Sequence, residues 1–414
     1  FDETLARANV RLRANRARSD EGARGRMAKN IVVCCDGTSN EFDGDRTNVV
    51  KLYQMLNHDR NVQATYYHPG LGTMEAAGAL TGFSRWWTKM AGFAFGYGLT
   101  NDIRDAYVFL MNNYEEGDKI FLFGFSRGAY TVRAVASLLH MVGLIRPGNE
   151  PLVPYAIRMM TRIHDRADGR AAITRTMVLA QQFKLTFSSV ACRARFVGVW
   201  DTVNSVGWIE NPLRVPFSAN NPSIDVGRHA LAIDERRAFF RENLWRPRAQ
   251  KPSGPGDLMQ VWFPGSHGDV GGGYPERDSG LSKVALEWML REAQAEGLLT
   301  LPDREARIMG EAGGNYVKPD PTADIHDELR RMKWWPAQLF PKKRWERRIV
   351  DDKEVWVQRR RIDLAGHRKI PKGAYIHESA YERDEDYVAK LPPDAIRIPT
   401  MRPSGNEKPR AKER

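Results

Sequence analysis

Cysteine is nearly absent from this chain: Cys34, Cys35 and Cys192 are the only three in 414 residues. Three thiols cannot build a disulfide framework, so a reducing compartment is the expected setting. Cys34 and Cys35 fall inside an apolar run, which predicts buried thiols. Long hydrophobic runs are also missing. None approaches the ~20 residues that cross a bilayer, and the amino-terminal residues contain no signal-peptide core. No H-E-x-x-H and no paired Cys/His spacing occurs, which argues against a metal site. No internal repeat is found. Acidic residues are in deficit, 51 against 63 Lys and Arg, for a net charge of +12. Such an excess points to an anionic partner, either a phospholipid surface or nucleic acid. The expected location is cytoplasmic, soluble or peripheral to a membrane, with any export following a route that needs no signal peptide.

What is present reads as one large α/β domain. Residues 1–26 form a polar, Arg-rich extension with the composition of disorder, and Met27 is a candidate natural start. Residues 27–400 form the domain proper, with insertions near 147–190 and 300–360. Residues 401–414 read as a disordered tail. Ile31–Cys35 (IVVCC), Ile120–Phe125 and Phe196–Trp200 (FVGVW) are short apolar runs suited to strands buried on both faces, and Met259–Phe263 (MQVWF) is a fourth. Helical spacing is seen over Thr47–Leu56, Asn101–Tyr114, Thr131–Leu139 and Leu281–Glu296. Val62–Tyr67 alternates as a strand, and HALAIDERR (229–237) reads as a helix. Residues 76–100 fit a buried helix pair, a lid or a membrane-facing patch. Strands alternating with helices predict a mostly parallel sheet flanked by helices, an α/β-hydrolase-like arrangement with helical insertions.

The chain is organised around Gly124-Phe125-Ser126-Arg127-Gly128. This G-x-S-x-G stands between a strand and a helix, the order needed to hold a serine on a sharp turn with its Oγ exposed above the sheet. Gly124 and Gly128 fit the close approach of strand and helix. The bland alternative is a strand–helix turn with an incidental serine. Asp36, Ser126, Asp201 and His267 each stand at or near the exit of a predicted strand, where open α/β sheets build their sites.

A serine hydroxyl needs a base to become nucleophilic, and the base needs an acid to fix its tautomer. Ser126, Asp201 and His267 follow the order nucleophile, acid, base used by α/β-hydrolases. Asp201 could instead cap a helix or a turn, with Asp225 and Asp269 as competitors. Asp269 is too close in sequence to His267 to orient it in the usual way, though a loop backbone or a cation would suit it. Among other histidines, His68 precedes the serine, His140 ends the following helix and His229 begins the HALAIDERR segment. His367 and His377 keep the order and are held in reserve. The developing oxyanion needs amide donors. Arg127 supplies one candidate, and the Gly37–Thr38 turn a second, unless that turn only leads into the next helix. The chemistry calls for no cofactor.

Several stretches carry a resemblance. CCDGTSN (34–40), TNV (47–49), YHPGLGT (67–73), GDKIFLFGFSRGAYTVRAVA (117–136), FVGVWDTVNSVG (196–207), HALAIDERR (229–237), VWFPGSHGDVGGGYPE (261–276) and IPKGAYIHES (370–379) resemble the α/β-hydrolase family typified by the catalytic domain of type VI secretion phospholipase effectors. The resemblance runs from about Met27 to about Ser379. It implies Ser126 as nucleophile, Asp201 as acid and His267 as base. It also implies a lipid ester, commonly a phospholipid, as substrate.

Arg330–Arg361 holds twelve Lys or Arg against four Asp or Glu, with Trp334, Trp335, Trp345 and Trp356 interleaved. Cations beside aromatics suit peripheral contact with an anionic membrane surface. They also suit nucleic acid, which is not the expected partner, or a solvated face whose aromatics pack inward. The leading expectation is therefore a serine hydrolase of lipid carboxylic esters. The alternatives are a non-catalytic lipid- or nucleic-acid-binding module on a hydrolase scaffold and a soluble carboxylesterase of small substrates.

Overall fold

The central strands of the core are short apolar runs buried on both faces. A computed structural model describes residues 27–37, 46–70, 95–161, 169–190, 192–203, 207–208, 211–212, 215–238, 240–245, 256–330, 335, 342–350, 353–362 and 365–400. The predicted extension 1–26, the tail 401–414, Thr38 and residues 76–94 of the candidate lid lie outside them.

Eight parallel strands form one sheet: β1 (Asn30–Cys35), β2 (Gln63–His68), β3 (Lys119–Phe125), β4 (Ala194–Trp200), β5 (Ile224–Ala232), β6 (Asp257–Phe263), β7 (Tyr375–His377) and β8 (Ile396–Ile398). Their order across the sheet is β8-β7-β6-β5-β4-β3-β1-β2. The expected α/β-hydrolase-like architecture is present, and every pairing in this sheet is parallel.

Alternation along the strands assigns the two faces. Ile31, Val33, Cys35, Ile120 and Leu122 face one core, which is closed by α2 (Phe95–Asn113), α3 (Arg127–Val142), α4 (Val153–Thr161) and α5 (Gly169–Phe187). Val32, Cys34, Phe121, Phe123 and Phe125 face the other, closed by α1 (Asn48–Met55) and α7 (Gly280–Ala295). Fully burying a side chain of this size contributes about 1.5–3 kcal/mol, so the three phenylalanines anchor β3 firmly. All three cysteines are buried and unpaired.

HALAIDERR is not a helix: residues 229–232 complete β5, between β4 and β6. A central parallel strand covered on both faces lacks the polar–apolar alternation that marks a surface strand, which is why its apolar run resembles a buried helix. Residues 342–350 and 353–361 pair antiparallel as a hairpin outside the main sheet.

Register aligns the strand exits. Cys35 pairs with Gly124, Phe125 with Trp200, Trp200 with Ala230, and Ala232 with Phe263. The residues that follow these strands are therefore gathered on one rim. Chain direction across the sheet reverses at β1 and β3, so the crevice of this α/β fold opens where Ser126 stands.

Candidate active site

Ser126 ends β3 with φ 55° and ψ −116°, a left-handed conformation rarely adopted by a residue with a side chain. The turn is forced by packing below it. A Cβ on Gly128 would lie 2.1 Å from the Cys35 carbonyl oxygen, and one on Gly124 would lie 2.5 Å from the Gly128 oxygen. Helix α3 can therefore sit on β1 and β3 only with glycine at both positions, as their spacing in the sequence anticipates. Ser126 N–H donates to the Trp200 carbonyl, tying the turn to the exit of β4 (3.1 Å). Ser126 Oγ makes no capping bond to α3.

Asp201, one residue past β4, is fully buried and also has positive φ, 36°. Its Oδ2 lies 2.5 Å from His267 Nδ1. An ionised carboxylate only accepts, so Nδ1 carries the proton and the neutral imidazole leaves Nε2 as a base. Burial favours the neutral Asp201 carboxyl, but the Arg368 guanidinium and the His267 bond outweigh it and hold its pKa well below the usual carboxylate range. His267 is buried as well. Loss of hydration pushes its pKa below 6.5, against the pull of Asp201. The imidazole lies between the rings of Phe125 and Phe240, with centroids at 4.6 and 4.8 Å. Phe125 immediately precedes Ser126. The structure thus joins Asp201 to His267 directly and stacks the imidazole on the residue that precedes Ser126, with no Ser126–His267 hydrogen bond among the described residues. Resting sites often close that last contact only when substrate binds.

Gly37 lies against Ser126: a Cβ there would be 3.3 Å from Ser126 Cβ. Its amide donates to Asp36 Oδ1 at 2.7 Å. Asp36 Oδ2 accepts from Thr47 Oγ1 and Tyr67 O–H, tying the exit of β1 to α1 and β2. Arg127 opens α3, and its guanidinium bonds the Gly70 carbonyl, with Asp102 at 3.6 Å.

The competing residues are engaged elsewhere. Asp225 pairs with Arg193 near the opposite, amino-terminal end of β5. Asp269 closes the capping box of the short helix α6 (His267–Gly271), accepting from Ser266 N–H, and holds the amide and ring of His326. His229 accepts from the Thr202 amide, and its pKa is pushed down to about 3 by burial and Arg133. His377 bonds Ser379 and Thr400, with its pKa likewise near 3 through burial and Arg397. His140 bonds Ser223, and His367 is exposed. Among the described residues no cluster of three His, Cys, Asp or Glu is arranged to hold a metal ion, and no helix is long and apolar enough to cross a membrane.

Four partners of the site were not legible in the sequence. Arg368 grips Asp201 from 167 positions away. Glu235 accepts from the His267 amide at 3.1 Å, and Arg237 braces Glu235 through its own amide and guanidinium. Phe240 forms the second wall against the imidazole. Glu235 and Arg237 belong to HALAIDERR, and Arg368 stands just before IPKGAYIHES, so position within or beside those stretches was the available signal.

An eight-stranded parallel sheet with helices on both faces and a glycine-flanked serine at its switch point defines an α/β-hydrolase-like protein. Residues 29–292 match the model of the family described as T6SS, phospholipase effector Tle1-like, catalytic domain, and the chain belongs to that family. A Saccharomyces cerevisiae protein, uncharacterized protein YEL023C, is 36% identical over 233 residues, covering 54% of this chain and 34% of the yeast protein. The match thus spans about a third of that relative's length. Among solved structures, an uncharacterized protein from Pseudomonas aeruginosa aligns with TM-score 0.42 and 19% identity, covering 82% of this chain and 54% of that one. A Tle1 effector bound to the VgrG spike of the type 6 secretion system aligns with TM-score 0.28 and 20% identity, covering 62% and 54%.

Proposed function

We propose that this chain is a serine hydrolase of lipid carboxylic esters, most simply a phospholipase, working through an acyl-Ser126 intermediate. The observation that carries the reading is the buried Asp201–His267 pair, its imidazole stacked on Phe125, the residue before a serine on a strained strand–helix turn. Family membership supplies the substrate class.

Ser126 Oγ attacks the acyl carbonyl as His267 Nε2 takes its proton, and Asp201 stabilises the imidazolium. The Arg127 amide is the first oxyanion donor. Gly37 would serve as the second once its amide turns from Asp36, with Thr38 as the neighbouring candidate. The tetrahedral intermediate collapses, His267 protonates the departing alkoxide, and the lipid alcohol leaves. Water then attacks the acyl-serine through the same base.

Residues 27–400 act as one catalytic domain in this reading. The hairpin 342–361, with nine Lys or Arg against four Asp or Glu, is the candidate peripheral contact with an anionic membrane. Its backbone register sets Arg347 opposite Trp356.

The test is fatty-acid release from phosphatidylglycerol-containing vesicles, wild type beside Ser126→Ala. Release lost in the variant supports the reading. Equal release by both proteins, or salt-sensitive vesicle binding without turnover, overturns it.

A further inference from the structure

Arg368 is a fully buried cation with no place in the three-residue relay. Its Nη1 lies 2.5 Å from Asp201 Oδ1 and its Nη2 lies 2.9 Å from Asp201 Oδ2. The same two nitrogens also reach the carbonyls of Ala232 and Phe240. The Ala232 amide donates to Asp201 Oδ1 at 3.1 Å. Asp201 Oδ2 is thus shared between Arg368 and His267, and Oδ1 between Arg368 and a backbone amide.

We propose, on the hydrolase reading above, that Arg368 is a positioning residue of this site: its planar fork locks the Asp201 carboxylate in the orientation that holds His267, and its charge offsets the carboxylate's. Two parallel bonds fix the plane of a carboxylate as one point charge cannot. Asp201 has positive φ, and its side chain arrives from a strained backbone. The fork therefore supplies a constraint that local geometry does not. It also rests on the carbonyl of Phe240, whose ring walls the imidazole, so one guanidinium ties acid and wall together.

The charge has a consequence of its own. An Asp201⁻–His267⁺ pair standing alone is neutral and favours a protonated imidazole. With Arg368⁺ at the same carboxylate, protonating His267 leaves the group with a net positive charge in a buried site. The other charged or titratable groups near this pair are Glu235 and Arg237 on the loop after β5, Arg241 and Glu242 further along it, with Glu242 at 3.7 Å from Arg368 Nε, Asp269 in the turn of His267, and His229 in β5. Glu235 and Arg237 pair with each other. Arg237 also lowers the His267 pKa, with Glu235 opposing it; Arg368 is the cation placed directly against the acid, and its charge acts in the same direction as that of Arg237.

The experiment reads kcat and KM across pH together with an NMR titration of His267, in wild type, Arg368→Gln and Arg368→Lys. Arg368→Gln should move the acid limb of kcat/KM, and the His267 titration, up by about one pH unit. Arg368→Lys should leave both within about 0.3 unit, because the charge stays. It should lower kcat about tenfold at unchanged KM, because the fork is lost. An unmoved titration in Arg368→Gln, or wild-type kcat in Arg368→Lys, overturns the proposal. Should Arg368→Gln fail to fold, Arg368→Lys decides alone. Wild-type protein without Ser126-dependent turnover would sink the hydrolase reading, and the His267 titration would still report on Arg368.

Discussion

The imidazole of His267 rests on the ring of Phe125, centroids 4.6 Å apart, and Phe125 is the residue immediately before Ser126. The imidazole is thus placed against the strand that leads to the serine. The same ring is pressed from beyond the base: a Cβ on Gly271 would lie 1.9 Å from it. Glycine at the end of helix α6 lets the His267 loop close onto β3. Serine and histidine come from strands three positions apart in the sheet, and one aromatic side chain adjoins both: Phe125 precedes Ser126 in the chain and packs against His267.

Gly128→Ala should be among the most damaging substitutions in the chain. The added methyl meets the Cys35 carbonyl oxygen at 2.1 Å and the Asp36 oxygen at 2.6 Å, both backbone atoms that cannot step aside. Overpacking of this kind costs roughly 1–3 kcal/mol, and the expected loss lies at the upper end. Urea unfolding of the purified variant checks it. A midpoint equal to wild type would mean that α3 does not sit on β1 as described.

Ser126→Gly and Ser126→Ala should both lack activity but differ in stability. Ser126 has φ 55°, a strained region for any residue with a Cβ. Relief of such strain is worth about 1–3 kcal/mol, partly offset by glycine's greater freedom when unfolded. The glycine variant should therefore be the more stable by about 1 kcal/mol in thermal or urea unfolding. The reverse ranking would contradict a strained serine.

The pH profile of hydrolysis should reflect a base that resists protonation. Burial puts the His267 pKa below 6.5, and the neutral form is the active one. The acid limb of kcat/KM, which reports the free enzyme, should therefore have its midpoint below 6.5. A midpoint above 6.5 would mean that Asp201 dominates over burial.

The candidate relay was legible because its signals are local. Ser126 announces itself through two glycines and a strand–turn–helix, and Asp201 and His267 stand at or near the exits of apolar strands. The supporting shell was not legible, because nothing local marks it. Arg368 lies in an aperiodic segment, and its role exists only through a partner 167 residues away. Glu235 and Arg237 sit in a segment whose apolar start reads as helix. In the fold it is the end of a doubly covered strand, with the charges paired beneath His267. The all-parallel order of eight strands likewise needed the structure, since β7 and β8 are three residues each and carry little periodicity.

The central claim is that Ser126 is an activated nucleophile. The most direct measurement is labelling by a fluorophosphonate probe, with the modified peptide identified by mass spectrometry, in wild type and in His267→Gln. A single adduct on Ser126 in wild type and near-complete loss of labelling without the imidazole are expected. A folded wild-type protein that takes up no probe, or a variant that labels at the wild-type rate, would contradict it.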